Sequence, residues 1–446
     1  MTRRSFAAWA VIFACSVGGS SACLNGIEKD AAITPLCPSL PRPSRSPGPP
    51  VWPVRFSGLD ISLVLADGWL YGTGTDRVVW LRDARSGQLH WRHSMEPVPS
   101  GKDSSHYPRL VVGTGQVFVG GGVGDPTGEL ISLCAADGRR MWRQVLPRLD
   151  EIARFRDMVV AVTDTSVHGM SAATGEVRWK TGVDGGGWRW MLPCGDTLLV
   201  GNSGVGVMAL DGGDGQVRWS LTPSKAGLSD VTFEVSGDLV HVFIRRAVPE
   251  KVSMEGVGRV EAMTAVDGEV RTVSAATGRV RWSRTLPPLG WHTLAAGELL
   301  YLTSGARLLA LHAETGKTAW SMPLPEPDLS PELRLHGGVL LVSVPVPDDD
   351  GLCPLLGLDP GTGAQRWRLG VKDPGQGFAS GPPGVAFVTT SSYSARLLAI
   401  DVNAGEVIWS TRVKKDSELI ADDDLVYAYL EHIDAYDIAT GAPLSG

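Results

Sequence analysis

The chain has 446 residues, 43% of them apolar and 20% charged, with 55 glycines and 30 prolines. That balance excludes a disordered chain and fits a turn-rich β protein with a substantial buried core. A formal net charge of −7 with no long basic run argues against a nucleic-acid partner.

Residues 1–22 read as an export signal. Arg3 and Arg4 precede a mostly apolar run from Phe6 to Val17, and the small residues GGSSAC follow. The run is shorter than the about 20 apolar residues that a membrane span needs. Cleavage after Ala22 makes Cys23 the first residue, a position that resembles the lipobox of bacterial lipoproteins, where the thiol is acylated. Ser20 departs from that pattern, which prefers an aliphatic residue there. The expected location is the periplasm or the outer membrane, through a lipid on Cys23, with plain secretion as the alternative.

Residues 23–54 form a proline-rich tether, PLCPSLPRPSRSPGPPVWP over its second half. Such a segment favours extended polyproline geometry and acts as a semi-rigid spacer. Beyond Cys23, the cysteines Cys37, Cys134, Cys194 and Cys353 show no CxxC or zinc-type spacing. Their pairing stays open, and buried thiols are the expectation for most.

From residue 55 to 446 one phrase keeps returning: LRDARSGQLHW, SLCAADGRRMW, GMSAATGEVRW, ALDGGDGQVRW, TVSAATGRVRW, ALHAETGKTAW, GLDPGTGAQRW, AIDVNAGEVIW and AYDIATGAPLS. Its glycines are Gly87, Gly138, Gly175, Gly215, Gly278, Gly316, Gly363, Gly405 and Gly441. Eight of them are followed at the fourth place by a tryptophan: Trp91, Trp142, Trp179, Trp219, Trp282, Trp320, Trp367 and Trp409; Ser445 takes the ninth place. An apolar strand, then Asp/Thr/Gly turn chemistry, then a strand carrying Trp spells a β-hairpin. A second strand pair precedes each hairpin, as in GELLYLTSG (297–305), giving about four strands per repeat. Four-stranded units with a period of about 40–50 residues build β-propeller blades, each hiding its faces against its neighbours.

The repeated pattern LDAxTGxxxW resembles the quinoprotein-type (PQQ-like) repeat. That family includes PQQ-dependent dehydrogenases and BamB, a lipoprotein of the outer-membrane barrel-assembly machinery. The resemblance implies an all-β propeller of eight blades with each Trp docking on the adjacent blade. The ninth motif keeps nine blades open, and Trp52 is a candidate for a detached outer strand of the last unit. One interval is unusual: Gly215 to Gly278 spans 63 residues, against 51 or fewer elsewhere. The surplus, residues 245–272, alternates like strand and ends in the turn signal VDGEV, so it reads as an elongated hairpin, neutral or partner-contacting.

Catalytic signals are sparse. The family's enzymes hold pyrroloquinoline quinone and calcium in the central channel, often beside an adjacent cysteine pair; this chain has no such pair, and no catalytic Asp maps onto it. His90 and His93 in HWRH point to opposite sides of a strand. PDDDG (347–351) and ADDDL (421–425) lack calcium-loop spacing and read as hydrated turns. GGGVGDPTG (120–128) and DGGGW (184–188) are not phosphate loops. No catalytic, cofactor or metal residue is therefore assigned, and no cofactor is expected. The expected function is a non-enzymatic exported scaffold for protein–protein contact, with BamB-like barrel assembly as its sharper form and a cell-envelope protein as partner. The alternatives are a PQQ-dependent oxidoreductase, favoured by acidic and Asn side chains converging on the channel, and an extracytoplasmic ligand- or carbohydrate-binding propeller, favoured if exposed Trp188, Trp190 and Trp291 share one face.

Overall fold

The computed structural model describes residues 37–38, 40–43, 50–55, 62–74, 76–96, 108–113, 115–121, 128–146, 148–183, 188–202, 206–222, 228–254, 258–326, 330–372, 374–390 and 394–444. The export signal and Cys23 lie outside these residues. Nine four-stranded antiparallel sheets follow one another along the chain. Eight are continuous in sequence: blades 1 to 8 occupy residues 62–94, 109–145, 149–182, 188–221, 228–286, 289–323, 332–371 and 374–412. Within each, strand order is sequence order. The first strands of successive blades meet around the axis, so they line the channel and the fourth strands form the rim.

The ninth blade decides between the eight blades expected and the nine kept open in favour of nine. Its strands Glu418–Ala421, Leu425–Tyr429 and His432–Asp437 come from the C-terminus, and its outermost strand, Val54–Arg55, comes from the N-terminus. Val54 pairs with Ile433 and Arg55 with His432, so the last blade is sewn shut by the start of the chain. Trp52, just ahead of that strand, takes the place that Ser445 cannot fill.

Among the described residues the core is divided between blade boundaries rather than gathered at the centre. The buried apolar side chains form nine clusters, one at each boundary between adjacent blades. A blade's apolar faces are thus covered only when both neighbours are present, which is the logic of a closed ring.

The repeated phrase is the clasp at each boundary. In all nine turns the motif glycine donates its N–H to the carbonyl four residues earlier at 2.8 Å. Its φ lies between +66° and +75°, a left-handed conformation that costs glycine little and other residues more. The indole of the preceding blade lies flat on that glycine. A Cβ on any of the nine would come within 2.3–2.9 Å of an indole atom, from Trp52 over Gly87 round to Trp409 over Gly441. Seven indole N–H groups also donate, at 2.7–2.8 Å, to the carbonyl three residues before that glycine. Two boundaries differ. Trp52 donates to the Arg85 carbonyl at 3.1 Å while the Tyr427 hydroxyl takes Ala84, and Trp179 Nε1 is buried without a hydrogen-bond partner among the described residues.

Part of the proline-rich segment is packed on the ring. Cys37 is disulfide-bonded to Cys134 in blade 2. Trp69 donates to the Pro41 carbonyl at 2.9 Å, and Pro43 sits over Gly68 in blade 1. This strap therefore crosses blades 2 and 1 before completing blade 9. Cys194 and Cys353 are buried and outside any disulfide.

Replacing Gly278 by Ala combines positive-φ strain with a Cβ 2.5 Å from Trp219 Cγ. The expected loss is about 2–4 kcal/mol in chemical denaturation. Gly297 also has positive φ, but no atom lies within 4 Å of where its Cβ would stand, so Gly297→Ala should cost only about 1 kcal/mol.

Candidate interaction face

The strand order gives the propeller two unlike faces. One, the motif face, carries the first-to-second and third-to-fourth strand turns. They are tied together, for example by Ala313 N–H donating to Glu298 O at 2.8 Å. The strap lies here, because Gly115 and Gly68, the turns it covers, are first-to-second turns. The other face carries the second-to-third hairpins and the links between blades.

That second face breaks the repeat most strongly in blade 5. Its middle strands, Leu239–Met254 and Gly258–Ser274, are 16 and 17 residues long, against 5 or 6 in the other blades. They pair continuously from Leu239↔Ser274 to Met254↔Gly258, apart from one bulge at Arg246/Ala247. The flanking strands stop earlier: the first reaches Ala247 and the fourth reaches Gly268. A two-stranded ribbon therefore stands out from the face, as the surplus between Gly215 and Gly278 anticipates. At its base Val248 and Val266 are exposed.

Beside the ribbon, the first strand of blade 6 bulges between Leu289 and Thr293. The bulge frees Trp291, which is 58% exposed, the highest of the large apolar side chains described. Arg245 supports it from below. The guanidinium lies 5.3 Å from the Trp291 ring centroid and donates to the carbonyls of Gly290 at 2.8 Å and Trp291 at 3.0 Å, and to Thr232 Oγ1 at 2.9 Å. Trp291 and His292 each give their N–H to Ser330 Oγ, at 2.7 and 3.1 Å. On the other flank, Trp188 and Trp190 open the first strand of blade 4 on this same face. Their strand positions thus place all three on one end of the propeller, while the side chains of Trp188 and Trp190 lie outside the described residues.

Below Trp291 the channel wall of blades 5–7 is charged. Asp230 lies 3.5 Å from Arg245 Nη1, Glu332 lies 3.2 Å from Arg334 Nη2, and Glu234 accepts from Thr293 Oγ1 at 3.4 Å. Burial pushes the Glu234 carboxyl up to about 7 and brings Arg245 down to about 10, which leaves the arginine charged at neutral pH. Burial, helped by Arg334 and Arg245, lowers His292 as well. Acids and bases alternate here, so the wall neutralises itself. Among the described residues no group of three or more His, Cys, Asp or Glu could hold a metal ion.

The remaining candidates have partners within the fold. His90 Nε2 lies 3.1 Å from the Ala136 carbonyl, and its ring packs on Trp69; His93 is lowered by burial and Arg140. Asp348 pairs with Arg368, and Asp350 accepts the Leu352 N–H. Asp422 caps its own turn, and Asp424 pairs with Arg85 at 2.6 Å. Residues 122–127 and 184–187 of the glycine-rich stretches lie outside the described residues.

Glu234 makes stability depend on pH. Its folded-state pKa lies above the ordinary carboxyl value, so its contribution is full below about 4.5 and is lost as pH rises through 7. Glu234→Gln keeps the neutral form at every pH. Urea denaturation should show the variant gaining on the parent between pH 5 and pH 8, by on the order of 2 kcal/mol once residual exposure is discounted.

Against known proteins, a family model described as "Outer membrane protein assembly factor BamB" matches residues 44–164, 75–244, 163–333, 266–356 and 354–444. BamB of Bordetella pertussis is 26% identical over 192 residues, which is 38% of this chain and 47% of that protein. The chain thus spans about half the length of that relative. Among solved structures, BamB of Moraxella catarrhalis matches 87% of this chain and 99% of its own, at 15% identity and TM-score 0.47. A quinohemoprotein alcohol dehydrogenase of Pseudomonas putida HK5 matches 85% of this chain and 71% of its own, at 14% identity and TM-score 0.49. With five overlapping matches from residue 44 to residue 444, the chain belongs to the outer membrane protein assembly factor BamB family of propellers.

Proposed function

We propose that this chain is a non-enzymatic, exported scaffold that binds another protein of the cell envelope, with a BamB-like part in assembling outer-membrane β-barrels as its specific role. Family membership along the whole propeller is the observation that carries the reading. The face bearing the ribbon and Trp291 supports it, since a rigid scaffold displaying one irregular face is a common way to hold a partner. The arrangement of the strap adds a direction. Cys37 is pinned on the motif face, so a chain anchored at Cys23 would join the ring on that face, opposite the ribbon.

The anchor has its own test. Cys23→Ala should release the protein from the membrane fraction into the soluble one; a variant that stays equally membrane-bound removes lipidation from the proposal. The scaffold is tested by affinity capture of the full chain from gently solubilised native envelopes, followed by mass spectrometry. Enrichment of barrel-assembly components over a Trp291→Ala variant supports the reading, and a capture with no partner overturns it. A second reading, a sugar-binding propeller, draws on Trp188, Trp190 and Trp291 standing on one face; quenching of Trp291 fluorescence in a sugar titration would favour it.

A further inference from the structure

The ribbon of blade 5 has two free-standing edges of unequal chemistry. Beyond the Ala247↔Ala265 pair it consists of residues 248–254 on one strand and 258–264 on the other, reaching about 24 Å at ~3.4 Å per residue. The fourth strand does not follow it. That strand ends at Leu286, and Pro287 and Pro288 then lead the chain to blade 6. Prolines have no N–H with which to extend a ladder. The outer edge, formed by the 258–266 strand, consequently has no strand beside it among the described residues.

Pro249 sets the direction of every peptide group along the ribbon. It pairs with Met263, and the ladder runs on unbroken to Met254↔Gly258. A proline permits this only where its nitrogen points away from the paired strand. Pro249 therefore blunts the inner edge, towards the axis. Because peptide direction alternates with a period of two, the pairs Lys251↔Glu261 and Ser253↔Arg259 share its orientation. The N–H and C=O groups of Arg259, Glu261 and Met263 accordingly face the outer edge. At the base of this edge sits Val266, the extra residue of the bulge and 46% exposed.

We propose that the outer edge of this ribbon, Arg259 to Met263, pairs with an extended strand of a partner polypeptide, adding a third strand through main-chain hydrogen bonds. A row of outward amides and carbonyls at alternate residues matches another backbone and little else. An isolated two-stranded ribbon is marginal in water, whereas a third strand stabilises it. The inner edge is closed to such pairing by Pro249, so the partner is directed to one side. This inference rests on the scaffold reading and specifies where and how the partner is held.

The test uses the full-length protein and a fluorescent ten-residue peptide of alternating threonine and valine, the length and pattern of a membrane-barrel strand. The peptide should slow amide exchange at Arg259, Glu261 and Met263. Glu261→Pro removes one outward donor and should weaken peptide binding at least tenfold. Lys251→Pro lies directly across the ladder, carries the same folding cost and should change binding less than twofold. Equal loss in both variants, protection at Lys251 and Ser253 instead, or no protection at all overturns the proposal. Concentration-dependent dimerisation abolished by Glu261→Pro, without peptide binding, assigns the edge to a second copy and also overturns it. If Glu261→Pro still captures the envelope partner, the edge proposal fails while the scaffold reading stands; if the parent captures none, the scaffold reading fails on its own.

Discussion

Everything in this structure depends on one contact repeated nine times: an indole lying on a glycine of the next blade. The contact joins three requirements at a single residue. The turn needs positive φ, the indole needs a surface without a Cβ, and its N–H needs a carbonyl three residues back. Only glycine meets the first two together. Because each tryptophan belongs to one blade and each glycine to the next, the contact is heterologous, and it satisfies every blade only when the ring closes. That is why the N-terminal strand matters out of proportion to its two residues, Val54 and Arg55. Trp52 has to reach Gly87 for the ninth boundary to match the other eight.

The irregular boundaries show how much variation the contact absorbs. At blade 7 the acceptor is Pro360, which still offers its carbonyl to Trp320, and also to the Tyr301 hydroxyl, although it has no N–H of its own. At the junction of blades 3 and 4 the residue three before the glycine is Gly212, and the Phe155 ring fills the space where its Cβ would be. There the Trp179 N–H is left unpaired. Aromatic packing holds the boundary and the hydrogen bond is the part forgone. Stacking is therefore the constant of the clasp, and the hydrogen bond an addition worth about 1 kcal/mol in most places.

The blade was legible in the sequence because its clasp is local: strand, turn, glycine and tryptophan lie within eleven residues. The number of blades was harder to read. Counting tryptophans after the motif gives eight, whereas counting glycines gives nine, and the glycine count is the right one since every blade needs a turn. The ninth tryptophan, Trp52, has no motif ahead of it and could be named only as a candidate, because its strand is separated from the rest of its blade by the whole chain. Cys37 and Cys134 are brought together by the path of the strap over blade 2, which spacing does not encode. The charged channel wall was illegible for the same reason. Asp230, Arg245, Thr293 and Arg334 come from three blades and carry no shared motif. Only the lengthened interval between Gly215 and Gly278 marked blade 5 in advance.

In a ring of near-equivalent units, function is to be sought where equivalence fails at a cost in stability. The nine clasps and nine apolar layers are what any such ring requires, so they say little about what this one does. Blades 5 and 6 depart from the pattern in ways that packing does not ask for. A ribbon extends into water beyond its neighbours, a bulge turns a tryptophan outward, and a buried arginine gives its hydrogen bonds to the Gly290 and Trp291 carbonyls and Thr232. Each feature leaves apolar or backbone groups exposed that a self-sufficient propeller would cover. All three lie on the face opposite the strap. The strap in turn fixes where the N-terminal segment meets the ring, so one face is committed to the chain's own closure and the other carries every one of these departures.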